Sequence, residues 1–97
     1  MNKAAFKLKG LPPIYCINLD GEPNRWESAE NMFKEWEVKN YTRVSAYDGR
    51  EDDLSDILKG TYPDRMTSGE VGCTTSHLKA MKMFLETDAP CALMMED

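Results

Sequence analysis

The sequence predicts an α/β domain: a short parallel sheet with flanking helices. Two observations carry that reading. Short runs rich in β-branched, aromatic or aliphatic residues are separated by stretches of helical periodicity, and strands divided by helices pair in parallel through right-handed crossovers. Each run also ends in acid, at Asp20, at Asp48 and at Glu96-Asp97, and a parallel sheet would gather those ends on one edge. With 97 residues the chain is long enough for one small domain with a thin core and too short for two.

Residues 1–13 read as a polar leader closed by the stiff Leu11-Pro12-Pro13, and residues 14–97 as the domain. Ile14 to Asp20 has strand composition and is ended by Gly21. Pro23 suits a first helical turn, and Trp26, Ala29, Met32, Phe33 and Trp36 recur at helical spacing, so one face packs and the other is charged. Tyr41 to Ala46 is a second strand, followed by the turn signal Asp48-Gly49. Asp53 to Leu58 reads as a short helix and 60–66 as a loop. Thr67-Ser68-Gly69-Glu70 matches a capping box and opens a long helix running to about Thr87, with Leu78, Met81 and Leu85 on its packing face. Asp88-Ala89-Pro90 breaks that helix before a last strand, Cys91 to Met95, which reads as buried and makes Leu93 a core residue.

The formal charge of −5 argues against a nucleic-acid surface, because the basic residues are scattered among more numerous acids. The amino-terminal segment has no apolar stretch long enough for a signal peptide, and no transmembrane segment follows, so the expected address is the cytoplasm. Three cysteines, Cys16, Cys73 and Cys91, sit in apolar patterns, with Cys16 and Cys91 in the strands; reduced thiols are expected rather than a disulfide framework.

On a helical wheel Glu70, Cys73, Thr74, His77, Met81, Phe84 and Leu85 share one stripe, placing polar groups inside an apolar face. Read blandly, Glu70 caps the helix and His77 is a hydrogen-bonded core histidine; read functionally, the stripe borders a ligand cleft. Gly69 and Gly72 flank Glu70 at the helix start, where backbone N–H groups favour an anion, although no Walker or Gly-x-Gly-x-x-Gly pattern is present. Cys73 and His77 are one helical turn apart, but a zinc site needs further convergent ligands, and the spacing names none. Asp20 and Arg25 bracket the first strand-to-helix turn, the mouth of an α/β site.

Taken in order, Ile14 to Asp20 with Arg25, then Ala46-Tyr47-Asp48-Gly49, then Gly69-Glu70-Val71-Gly72-Cys73-Thr74-Thr75-Ser76-His77-Leu78, then Leu93-Met94-Met95-Glu96-Asp97 resemble glycosyltransferase family 25. The Gly-Glu-x-Gly-Cys-x-x-Ser-His segment is the most specific piece. The resemblance implies the Rossmann-like amino-terminal half of a GT-A-type domain, a UDP-sugar donor carrying galactose or glucose, a glycan or other acceptor, and a divalent cation such as Mn2+. It implies nucleotide-sugar contacts from Asn18, Leu19, Asp20, Arg25, Asp48, Gly49, Glu70, Gly72, Cys73, His77 and Glu96, and a metal contact from Asp97. The family's acidic motif continues with another Asp and more chain follows, so the resemblance implies an incomplete domain with Asp97 mobile at its end. The alternative is a non-catalytic module that holds a nucleotide sugar, or a fragment that self-associates through the open edges of its sheet.

Overall fold

Alternation along one strand organises the fold. β1 (Ile14–Asn18) is buried at every position, so its even-numbered side chains pack to one side of the sheet and its odd-numbered ones to the other. β1 is flanked by β2 (Tyr41–Ser45) and β3 (Leu93–Glu96) in the order β2-β1-β3. Both pairings are parallel, with Ile14 opposite Tyr41 and Leu93, and Ile17 opposite Val44 and Glu96. The computed structural model describes residues 10–52, 54 and 67–97; the short helix and loop expected over 53–66 and most of the leader lie outside the described residues, Leu54 apart.

On one face lies α1 (Pro23–Glu35), started by a proline whose missing N–H costs nothing in a first turn. Ala29 and Phe33 reach the sheet and meet Ile14 and Cys16, with Trp26, Val38, Tyr41 and Met95 around them. Phe33 stacks on Tyr41 with ring centroids 4.4 Å apart. The helix ends with Glu37 in the left-handed region (φ 54°), while Val38 N–H donates to Phe33 O (2.8 Å) and Glu37 N–H to Lys34 O (3.1 Å), the paired bonds of a Schellman motif.

On the other face lies α2 (Ser68–Leu85), capped as expected: Thr67 Oγ1 accepts from Glu70 N–H at 3.1 Å. The face it buries differs from the expected one. Gly72, Thr75, Ser76 and Ala80 are buried, whereas Leu78, Met81 and Leu85 are exposed, Leu85 at 77%. Against the sheet, Ala80 joins Tyr15, Ile17 and Val44, with Met83, Phe84, Ala46, Ala92 and Met94 at the margins. The reason is steric: a Cβ on Gly72 would lie 2.8 Å from Gly49 N and 2.9 Å from Tyr47 O, so small residues let the helix seat closely on the segment after β2. Thr75 and Ser76 bury their hydroxyls by donating to Val71 O (2.8 Å) and Gly72 O (2.5 Å), turns of the same helix.

Two further expectations are corrected. Leu93 is 43% exposed, because β3 is an edge strand covered only in part, and Met94 and Met95 supply its packing instead. Cys91 lies before the strand and is exposed, while Cys16 is buried as expected. Met32 is likewise 40% exposed and outside the α1 contact. The two helices and the three-stranded parallel sheet make three layers, α/β/α, as a Rossmann-like fragment would. Among the described residues no helix is long and apolar enough to cross a membrane.

Candidate functional site

Parallel pairing brings the carboxyl ends of all three strands to one edge. There the segment after β2 meets the amino end of α2 and the two border an open cavity of about 410 Å³. The closeness of that meeting depends on two glycines: a Cβ on Gly49 would collide with Ser68 O, and one on Gly72 with the backbone of Tyr47 and Gly49. Ser76 ties the same seam, its hydroxyl oxygen accepting from Tyr47 N–H at 2.9 Å. The carboxyl-edge position is where open α/β sheets bind ligands.

The segment after β2 is organised by Asp48. Its Oδ1 accepts from Arg50 N–H (3.0 Å) and Arg50 Nε (3.1 Å), while its own N–H donates to Asp52 Oδ2 (2.6 Å). The Arg50 side chain beside it holds the Asp48 carboxyl below the usual range. Arg50 is mostly exposed and lines the cavity, a residue the sequence reading passed over. An arginine directly after an Asp-Gly turn at a strand end is a usable signal for anion contact.

Asn18, at the end of β1, is 2% exposed and fully used within the protein. Its amide donates to Glu22 O (3.1 Å) and Asp97 Oδ2 (2.6 Å), and its Oδ1 accepts from Arg43 Nε (2.9 Å). Arg43 also donates to Asp20 Oδ1 at 2.7 Å, where Ser45 Oγ donates at 2.8 Å; these two bonds pull the Asp20 carboxyl below its ordinary value. Arg43 was not a sequence candidate, because nothing in strand periodicity distinguishes a residue that anchors two loops. Asp97 is bonded through both backbone and side chain: its N–H donates to Ile17 O (3.0 Å), its Oδ1 lies 3.4 Å from Arg25, and its side chain is 12% exposed.

Glu96 projects from the last position of β3 toward α2. The Cys73 thiol donates to Glu96 Oε1 at 2.9 Å, and His77 Nε2 stands 3.5 Å from the same oxygen. The carboxyl of Glu96 is lowered, first by the Cys73 hydrogen bond and then by His77, and the thiol of Cys73 is raised by its carboxylate partner. The three donor atoms lie within 4.8 Å of one another. Convergence that helical spacing could not supply comes from a residue nineteen places further on, across the sheet edge.

Of the sequence candidates, Leu19, Arg25, Asp48, Gly49, Gly72, Cys73, Glu96 and Asp97 line the cavity. Asn18 is buried and bonded to the lining residue Asp97 without lining the cavity itself, and Asp20 borders a neighbouring cleft shared with Asp48 and Arg50. His77 is half-buried beside Glu96. Glu70 is exposed, its carboxylate accepting from Thr67 Oγ1 at 3.1 Å, so it caps the helix and does not line the cavity.

Residues 11–97 match Glycosyltransferase family 25 (LPS biosynthesis protein). The chain belongs to glycosyltransferase family 25. A "Glycosyltransferase 25 family member" of Drosophila pseudoobscura pseudoobscura is 28% identical over 97 residues, covering 90% of this chain and 16% of the relative. The chain thus spans about a sixth of that family member's length. No solved structure matches it. Every segment quoted above for the family resemblance falls inside the matched residues, and those segments meet at the carboxyl edge of the sheet.

Proposed function

We propose that the chain holds the nucleotide-sugar donor in a family 25 glycosyltransferase, in a GT-A-type domain that transfers galactose or glucose from a UDP-sugar to a glycan or other acceptor. Family membership supports sugar transfer as the activity. The observation that carries the donor reading is the charge balance of the cavity. Arg25 and Arg50 line it against Asp48, Glu96 and Asp97, so its ionisable side chains leave it net negative. A diphosphate enters such a cavity only with a cation to screen it. The Asp97 carboxylate at the cavity wall is the donor a divalent ion such as Mn2+ would use. When bound, such an ion neutralises the diphosphate leaving group as the sugar carbon gains positive charge.

The protein's own groups then divide the remaining work. Arg25 and Arg50, both largely exposed, can turn toward phosphate oxygens. The amino end of α2, with Gly69 and Gly72 in the cavity wall, adds the positive end of a helix dipole. Asn18 keeps Asp97 in place through its 2.6 Å amide bond, so the acidic wall is preorganised before ligand arrives. Calorimetric titration of UDP-galactose with and without Mn2+, beside a sugar-release assay, tests the proposal. Cation-dependent binding that Arg50→Ala weakens supports it; binding indifferent to Mn2+ and to Arg50 overturns it. Binding without turnover by this chain would favour the non-catalytic donor-holding reading.

A further inference from the structure

The side chains around Glu96 are not those that a hard, oxygen-seeking ion selects. Cys73 and His77 stand one turn apart on α2, which places Sγ and Nε2 on one side of the helix. Glu96 meets them from β3, with Oε1 2.9 Å from the sulfur and 3.5 Å from the imidazole nitrogen. A soft sulfur, a borderline nitrogen and a carboxylate oxygen together suit a cation of zinc type rather than manganese or magnesium. We infer that Cys73, His77 and Glu96 form a three-ligand site for a borderline divalent cation such as Zn2+, with its fourth position open toward the cavity.

The distances fit that ion. Bonds of about 2.3 Å to sulfur and 2.0–2.2 Å to nitrogen and oxygen, at tetrahedral angles, separate neighbouring ligand atoms by about 3.4–3.6 Å. Side-chain rotations that change these separations by about an ångström bring the present atoms, all within 4.8 Å of one another, to those spacings. Both supporting elements are anchored. α2 is pinned by Gly72 and Ser76 against the segment after β2, and β3 by the Asp97 N–H bond to Ile17 O at 3.0 Å. Cys73 is exposed and His77 half-buried, so an ion can reach them from solvent. On binding, the Cys73 S–H bond is lost, its proton passes to solvent, and the sulfur electron pair goes to the metal; no redox change is involved. Cys73 and Glu96 also line the cavity, which leaves the open position facing whatever occupies it. The inference concerns ion binding by the chain and does not rest on sugar transfer.

Cobalt(II) reports directly on sulfur coordination. Titration of the 97-residue chain with Co2+ should produce a near-ultraviolet thiolate-to-cobalt band and intense visible absorption of tetrahedral type. A stoichiometric amount of Zn2+ should abolish both, and a roughly tenfold excess of Mn2+ should not. Cys73→Ser should remove the near-ultraviolet band, His77→Ala and Glu96→Gln should each weaken Co2+ binding by about tenfold or more, and Cys91→Ser should change nothing. Unfolding midpoints in metal-free buffer, expected to match the parent chain, show that each variant is folded. Absence of the band from the parent chain, its persistence in Cys73→Ser, or its loss in Cys91→Ser would overturn the inference. A cobalt spectrum that obeys these rules while UDP-galactose fails to bind supports this site and breaks the donor reading, so the two fail separately.

Discussion

The two faces of the sheet are covered by helices of opposite kinds. α1 reaches the sheet through a large ring, Phe33, wedged among Ile14, Cys16 and Tyr41. α2 reaches its segment after β2 through almost no side chain at all, with Gly72 against the backbone of Tyr47 and Gly49. Both faces bury apolar area, but on the second the seam with the segment after β2 depends on how closely two backbones approach. The difference separates stability from site-building. Phe33 and Tyr41 line none of the cavity, whereas the close-packed face forms the cavity wall and carries Cys73 and Ser76.

Truncating the anchor of the aromatic face should have the largest effect: Phe33→Ala should lower stability by about 3–5 kcal/mol, read from denaturant midpoints. A loss below about 1 kcal/mol would mean that the α1 face contributes little. On the other face the damage comes from addition. Gly72→Ala should destabilise by about 1–3 kcal/mol, because overpacking against backbone outweighs the better helix propensity of Ala. Gly69→Ala, whose Cβ would meet only Thr67 Oγ1 at 3.9 Å, should be neutral or mildly stabilising. If both glycine variants behave alike, close approach does not distinguish this face.

The cysteines sharpen the comparison without changing the packing. Cys16, at 0% exposure, has its thiol pushed up to about 11, chiefly by burial and secondarily by the charge of Asp97. A thiol reagent at neutral pH should therefore modify Cys73 and Cys91 in the native chain, and Cys16 only on unfolding, as mass mapping would show. Smaller still, Leu85→Ala should move stability by no more than about 0.5 kcal/mol, despite its size, because its side chain lies mostly in solvent. The smallest effect concerns Asp20, whose carboxyl is held below 3.8 by Arg43 first and Ser45 second. Its folded value is depressed, so its contribution is present above pH 3.8 and is lost as pH falls through that lower folded value. Carboxyl NMR titration should show the Asp20 value rising in Arg43→Ala, and rising less in Ser45→Ala.

Composition and periodicity by themselves determined the order of the described elements, the parallel sheet and the gathering of Asp20, Asp48 and Glu96 at strand ends. These follow from local rules: β-branched runs extend, Pro23 and the Thr67 capping box start helices, and helices between strands force parallel crossovers. The Ala29 and Phe33 positions of α1 were legible for the same reason, since an apolar stripe on an amphipathic helix marks its buried side. The buried side of α2 was not legible. Counting apolar residues selects Leu78, Met81 and Leu85, but close backbone approach selects Gly72, Thr75, Ser76 and Ala80, and approach distance is a property of two segments together. Leu93 was misjudged on like grounds: β3 has core composition, yet a strand at the sheet edge keeps one side partly open. The site divides along the same line. Its residue types were visible at the strand ends and along α2, but the Asn18–Arg43 network, the fixing of Asp97 and the convergence of Cys73, His77 and Glu96 exist only once β1 lies between β2 and β3. Helical spacing relates residues one turn apart; only the folded sheet edge relates α2 to β3.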